Sequence, residues 1–217
     1  MRVSFTMNQT YQPKASGQKR VFKYRHLEFF TKTHSFIPVS IFIISSIGLI
    51  FWGVVEEAIE AKSMVLSFLV GLLVFTWIEY IVHRYVFHMK ISTKMRKRIQ
   101  YLFHGVHHEF PKDKDRLAMP PLASITLAVL VFLIFELLFG DWAWGFGAGF
   151  FTGYAGYLFV HYIVHAWRMP KNSLKVLWIN HNIHHYQDEN VAFGVSSPLW
   201  DIIYRTMPKK LIGKTHK

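Results

Sequence analysis

Cysteine is missing from this chain of 217 residues. Its absence excludes disulfides, thiolate-bound zinc, iron–sulfur clusters and cysteine nucleophiles, and says little of compartment. Acids are scarce too: 13 Asp and Glu stand against 25 Lys and Arg, a formal net charge of +12 at pH 7. A basic balance of that size suits a nucleic-acid binder. Here, however, the basic residues flank apolar runs instead of lining one polar face, so no nucleic-acid partner is expected. Internal repeats and low-complexity tracts are absent. No secretory signal is evident, because the first apolar run begins near Phe36, behind a basic and polar leader.

What the chain has in quantity is apolar surface: 52% of its residues are hydrophobic and 17% aromatic, too greasy for an ordinary soluble domain. Four stretches are long enough to cross about 30 Å of hydrocarbon at about 1.5 Å per residue. They run from about Phe36 to Val55, Met64 to Val82, Leu122 to Phe139 and Trp142 to Val164. The first holds no charge, the second one acid (Glu79), and the third Glu136 near its far end, after the helix-stopping pair Pro120–Pro121. A pair of helical hairpins inside a soluble core is the alternative, and runs this long with so little charge disfavour it. The expected organisation is a basic leader over residues 1–35, then one membrane domain over 36–217.

The loops give the orientation. Arg2, Lys14, Lys19, Arg20, Lys23, Arg25 and Lys32 crowd the leader against the single acid Glu28. The middle segment carries Lys90, Lys94, Arg96, Lys97, Arg98, Lys112, Lys114 and Arg116, and the tail is basic again from Arg168 to Lys217. By contrast, the short links hold Glu56, Glu57, Glu60 and Lys62 in one case and Gly140–Asp141 in the other. The positive-inside rule then puts both termini and the middle segment in the cytoplasm. That means the inner membrane of a bacterium or the endoplasmic reticulum of a eukaryote. Trp52, Trp77, Trp142, Trp144 and Trp167 read as interface anchors, and Glu136 as an interfacial residue of the outer end.

Ten of the 13 histidines fall into four clusters beside these spans. They are His83 and His88; His104, His107 and His108; His161 and His165; and His181, His184 and His185. All four clusters lie on the side that Lys and Arg alone assign to the cytoplasm. Neutral imidazole is the commonest transition-metal ligand, and positions i, i+3 and i+4 share a helix face. His83 and His88 are i, i+5 and diverge by about 140° on an ideal helix, so they converge only if the helix bends or ends there, or they serve different metals. Ten nitrogens exceed what one ion takes, and two metals with about five imidazoles each is the natural division. With few acids nearby, such a shell is almost all histidine, unlike carboxylate-bridged di-iron bundles or the two-histidine, one-carboxylate site. Glu79, Tyr157, Glu109 and Asp188 are candidates to accept the ligands' other N–H. His26, His34 and His216 lie outside the pattern and read as ordinary residues.

The order HX4H, HX2HH, HX3H, HX2HH resembles the membrane fatty acid hydroxylase superfamily, which includes sterol desaturases and carotenoid hydroxylases. Within it, WIEYIVHRYVFHMK (77–90), HGVHHEFPKDKDRLAMPP (104–121) and HNIHHYQDENVAFGVSSPLWD (181–201) are similar to the fatty acid 2-hydroxylases of sphingolipid metabolism. The resemblance covers roughly residues 70–207. It implies an all-α fold, a four-span bundle with a cytosolic helical cap, and a dimetal centre where they meet. All ten clustered histidines match the family's ligands, which implies two iron ions, with zinc able to take their place. It implies dioxygen as co-substrate, a lipid acyl substrate, and catalysis by the metal centre with no separate acid or base. Asn180 stands where some members have a further histidine. The leader is too short for the cytochrome b5 domain fused to many eukaryotic members, so a separate donor, cytochrome b5-like or ferredoxin-like, is expected. Two alternatives stay open: a sterol or carotenoid hydroxylase or desaturase of the same superfamily, and a non-enzymatic metal transporter or sensor. Transport predicts ionisable ligands near mid-span, whereas these clusters gather at one edge.

Overall fold

The computed structural model describes residues 10–14, 16–20, 23, 24, 28 and 31–208. Arg2, Arg25, His26, Lys209, Lys210, Lys214, His216 and Lys217 lie outside the described residues. Helices α1 (Phe36–Val55) and α2 (Ala61–Ile81) come first, and α2 runs on as a π-helical turn, Val82–Phe87. Helix α3 (Lys94–Gln100) passes through a second π turn, Tyr101–Gly105, into the short α4 (Val106–Glu109). Then follow α5 (Pro121–Phe139), α6 (Trp142–Ala166), α7 (Lys175–Tyr186) and α8 (Leu199–Ile203). The fold is all-helical, with no strand among the described residues.

Local chemistry sets several of these limits. Pro121 opens α5, where a missing N–H costs nothing. Thr93 caps α3 by accepting the Arg96 N–H at 3.1 Å. Gly140, at φ +54°, makes the turn from α5 to α6 in a backbone region that favours glycine.

Three helices are long and apolar enough to cross a membrane: α1, α2 with its π extension, and the helix that ends at Phe139. Most of their side chains face outward, Leu137 being 86% exposed. A helix apolar on every side has no stable place against water and calls for hydrocarbon around it. The fourth expected span is α6, whose glycines and aromatics leave it outside that class by composition. Its position explains the composition: α6 is the buried centre, packed against α2 and α1 and then α5. Gly145, Gly149 and Gly153 recur every fourth residue and face α2. An added Cβ at these positions would collide with Ser67 Oγ, the Phe68 carbonyl and the Phe75 ring. Across from them, Gly71 of α2 sits against the Phe146 carbonyl. Small residues at helical spacing let two backbones approach this closely. Around α6 a core of Phe42, Phe151, Ala155, Leu158 and Ala128 packs against its neighbours.

The described part of the leader is bonded to the domain rather than standing apart from it. The Lys14 N–H donates to the Glu109 carbonyl at 2.8 Å and the Thr33 N–H to that of Asp115 at 2.9 Å. The Tyr11 hydroxyl donates to Gln100 Oε1 at 2.8 Å, and the Thr10 N–H to Glu189 Oε1 at 2.9 Å. The strap thus crosses the segment that carries the second histidine cluster.

Candidate metal centre

The π end of α2, the α3–α4 segment, the last turn of α6 and helix α7 converge, and they bring all ten clustered histidines together in two groups of five. His83, His88, His104, His108 and His184 form one; His107, His161, His165, His181 and His185 form the other. Within each group the ligand atoms all lie within 4.8 Å of one another. His184 and His185 are 0% exposed and His108 1%, so the site is closed to bulk water on that side.

Helix geometry explains the division. Position i+4 falls about 40° round from i, and i+3 about 60° the other way. Each i, i+4 pair therefore goes to one group: His104 with His108, His161 with His165, His181 with His185. The i+3 member of each HX2HH cluster crosses over, His107 to the second group and His184 to the first. The i, i+5 pair is reconciled by the π turn. There the His88 N–H bonds the His83 carbonyl at 3.1 Å, stacking residue i+5 over residue i. The two rings end up 5.1 Å apart in a single group. The bend, not a division between two metals, resolves their divergence.

The hydrogen bonds test whether metal ions fit. His83 donates its Nδ1–H to the Phe193 carbonyl at 2.5 Å, His184 to that of Val191 at 2.8 Å, and His161 to that of Leu117 at 3.3 Å. A carbonyl only accepts, so each of these rings holds its proton on Nδ1 and turns an Nε2 lone pair inward. Those Nε2 atoms meet other Nε2 atoms: His83 to His104 at 3.0 Å, His184 to His88 at 3.0 Å, His161 to His107 at 2.9 Å. His108 to His104 at 3.0 Å and His181 to His165 at 2.7 Å complete the pattern. Nitrogens bound about 2.1 Å from one ion at right angles lie about 3 Å apart. Both ring nitrogens of His185 are buried without a hydrogen-bond partner among the described residues. Converging lone pairs and orphaned imidazole nitrogens are what a cation would satisfy, so the residues present fit two ions.

Protonation points the same way. Burial, then the neighbouring imidazoles, holds His104, His107, His108, His181 and His185 well below the ordinary histidine range. His184 is depressed by the same causes, although its bond to Val191 opposes them. Neutral rings are the ligand form.

The surrounding groups differ from those expected. Glu79 reaches no histidine; it accepts the N–H groups of Val195 at 2.7 Å and Ser196 at 2.9 Å and the Ser196 hydroxyl. Glu109 takes Lys14 at 2.5 Å and Tyr101 at 2.6 Å, and Asp188 takes the Asn190 N–H at 3.0 Å. Tyr157 stacks on His161, ring centroids 5.5 Å apart, without hydrogen-bonding it. For His83, His184 and His161 the acceptors are backbone carbonyls, which residue spacing does not reveal. Two of them flank Ala192, which is buried and held at φ +55°. The acid that fixes this loop, Asp201, accepts the N–H groups of Phe193 at 2.9 Å and Gly194 at 2.7 Å. Its only advance signal was its place at the end of FGVSSPLWD.

Fold and site together define a class: all-helical proteins whose membrane-length helices end in paired histidine groups able to hold metal ions. The chain belongs to the fatty acid hydroxylase family, whose model matches residues 68–206. It is 33% identical over 150 residues to a dihydroceramide fatty acyl 2-hydroxylase of Arabidopsis thaliana, covering 64% of this chain and 59% of that one. A ceramide very long chain fatty acid hydroxylase of Saccharomyces cerevisiae is 38% identical over 144 residues, 64% of this chain and 37% of its own length. The solved structure of full-length scs7p, in which only the hydroxylase domain is visible, superposes with a TM-score of 0.77 at 29% identity. That match covers 84% of this chain and 70% of the other. The chain thus spans 59% or less of the length of these two curated relatives.

Proposed function

We propose that this protein is a membrane-embedded, iron-dependent monooxygenase that hydroxylates a lipid acyl chain at the carbon next to its carbonyl. The observation that carries the reading is the pair of five-histidine groups, four members of each buried, in a chain of the fatty acid hydroxylase family. Relatives named for 2-hydroxylation of fatty acyl chains support the position. Two irons bound by the ten histidines would supply the redox chemistry that puts one dioxygen atom into an aliphatic C–H bond, the other leaving as water with two electrons and two protons. The chain's own part is to present imidazoles in the neutral form, fix three of them by carbonyl acceptors, and keep bulk water away from the site.

The basic segments support a topology with the termini and the histidine groups at the cytoplasmic face, and with α1, α2, α5 and α6 as a four-span bundle beneath a helical cap. An apolar chain then enters from the bilayer while a separate electron carrier approaches from the cytoplasm. The decisive experiment is mass spectrometry of hydrolysed lipids from cells expressing the intact chain or His107→Ala, with iron and a competent donor supplied. Acyl chains that gain one oxygen at C2 with the intact chain alone are the expected result. No new product, with donor supply verified, sinks the acyl reading and favours sterols or carotenoids.

A further inference from the structure

A cavity of about 590 Å³ opens beside the first histidine group. His88 forms part of its wall, Tyr85 and Phe193 supply aromatic surface, and Arg84, Lys90 and Arg96 bring three cations to it. No carboxylate lines it. Its volume is in the range of small-molecule sites.

Arg84 is the unusual member. It is half-buried, and its guanidinium carbon lies 5.0 Å from the Tyr85 ring and 5.7 Å from that of Phe193. One of its nitrogens donates to the Tyr80 hydroxyl at 2.8 Å. No carboxylate of the described residues lies within ion-pair distance of it. The acid whose charge it influences, Asp201, already accepts Phe193, Gly194 and the Thr206 hydroxyl at 2.7 Å. A guanidinium offers five donors in a fork that fits carboxylate or phosphate, and aromatic faces hold its plane. Lys90 and Arg96, both exposed, extend the positive field to the rim.

We propose that this cavity is a subsite for an anionic head, carboxylate or phosphate, on the lipid substrate, with Arg84 as its principal partner. The inference rests on the acyl-hydroxylase reading and narrows its substrate class. The chemistry of position agrees with it. For a carboxylate head, C2 is bonded directly to the carboxyl carbon, so a head seated beside His88 would hold C2 close to the first histidine group. An uncharged head would leave the half-buried Arg84 with no anion within ion-pair distance among the described residues.

The test is equilibrium binding to the full chain in lipid nanodiscs, loaded with redox-inert zinc so that nothing turns over. Palmitate is compared with palmitamide, and an N-acyl sphingoid 1-phosphate with its uncharged parent. The expected result is an anion preference of about tenfold or more in one pair, shrinking with salt. Arg84→Gln should erase it while the neutral probe's affinity moves less than about twofold. Preference in the first pair assigns the anion to a carboxylate, and in the second to a headgroup phosphate. Equal affinities within both pairs overturn the subsite. Should Arg84→Gln fail to insert, the double variant Lys90→Gln, Arg96→Gln decides: the preference should survive with a weaker salt dependence, and its complete loss there overturns Arg84 as the principal partner. Turnover with iron separates the two readings. Product from palmitamide as readily as from palmitate, with equal affinities, removes the subsite and leaves a hydroxylase. An intact anion preference with no oxygenated product removes the hydroxylase and leaves the subsite.

Discussion

His83 donates its Nδ1 proton to the Phe193 carbonyl at 2.5 Å, and the Phe193 N–H is in turn held by Asp201 at 2.9 Å. Asp201 and Glu79 touch no histidine, yet between them they bind four consecutive N–H groups, from Phe193 to Ser196. The loop they fix supplies the acceptors for both His83 and His184, two members of the first group.

Asp201→Ala should therefore weaken metal retention selectively. Two buried N–H groups would lose their acceptor at roughly 1–3 kcal/mol each, and the carbonyl behind His83 would drift. Loss of such a support typically lowers metal affinity about 10- to 100-fold. Chelator competition on the metal-loaded protein should show one ion leaving early and the second at the rate of the unmodified chain. Simultaneous release of both at unchanged rates would mean that the loop does not govern the first group.

Acid should unfold the metal-free protein in a steep step. His104, His107, His108, His181, His184 and His185 all have folded-state values below the ordinary 6.5. The unfolded chain therefore binds more protons than the folded one once pH drops under about 6.5, and stability falls with falling pH from there. Several groups act together, so the slope should correspond to more than one proton per molecule. Helicity followed by circular dichroism in detergent between pH 7.5 and about 4.5 checks this, and bound metal should shift the transition to lower pH. A pH-independent signal across that range would contradict neutral, buried imidazoles.

Much of this site was legible before any coordinates. The gathering of ten histidines follows from their place at the ends of apolar runs, and two groups of about five from counting nitrogens; eight of them are buried, and His88 and His165 half-buried. The membership of each group was also latent in the spacing, since i+4 and i+3 lie on opposite sides of i, but convergence of a whole cluster was the simpler expectation. The place of His88 was not legible, because it depends on a π turn that ordinary helix periodicity does not announce. Nor were the carbonyls of Leu117, Val191 and Phe193, since every residue of the chain offers the same group. The carboxylates Glu79, Glu109 and Asp188 drew attention by proximity in sequence, and tertiary contacts gave them other partners.

Glu109→Gln makes that last point measurable. Its carboxylate is raised by burial but brought below its ordinary value by Lys14, Tyr101 and Lys19, and it bonds no histidine. The variant should loosen the leader by at most about 1 kcal/mol, as partly exposed ion pairs do, and leave metal content unchanged. Proteolysis near residues 14–20 should quicken while bound metal per chain stays constant. A drop in metal content would reveal a direct support of the histidine groups that the geometry does not contain.

The stripe on α6 gives the sharpest structural test, because the same helix carries its own control. A Cβ at Gly149 would meet the Phe68 carbonyl of α2, backbone that cannot rotate away, whereas at Gly156 it would meet nothing within 4 Å. Gly149→Ala must therefore push α2 and α6 apart, at a cost of about 1–3 kcal/mol or more. Both helices end in candidate ligands, His83 on one and His161 with His165 on the other, so their separation should also reduce metal content. Gly156→Ala gains helix propensity without a clash and should be neutral or stabilising by up to about 1 kcal/mol. Thermal unfolding in detergent with metal analysis of both variants decides the matter. Equal behaviour of the two would show that α2 and α6 do not depend on backbone contact at Gly149 to set the distance between the histidine groups.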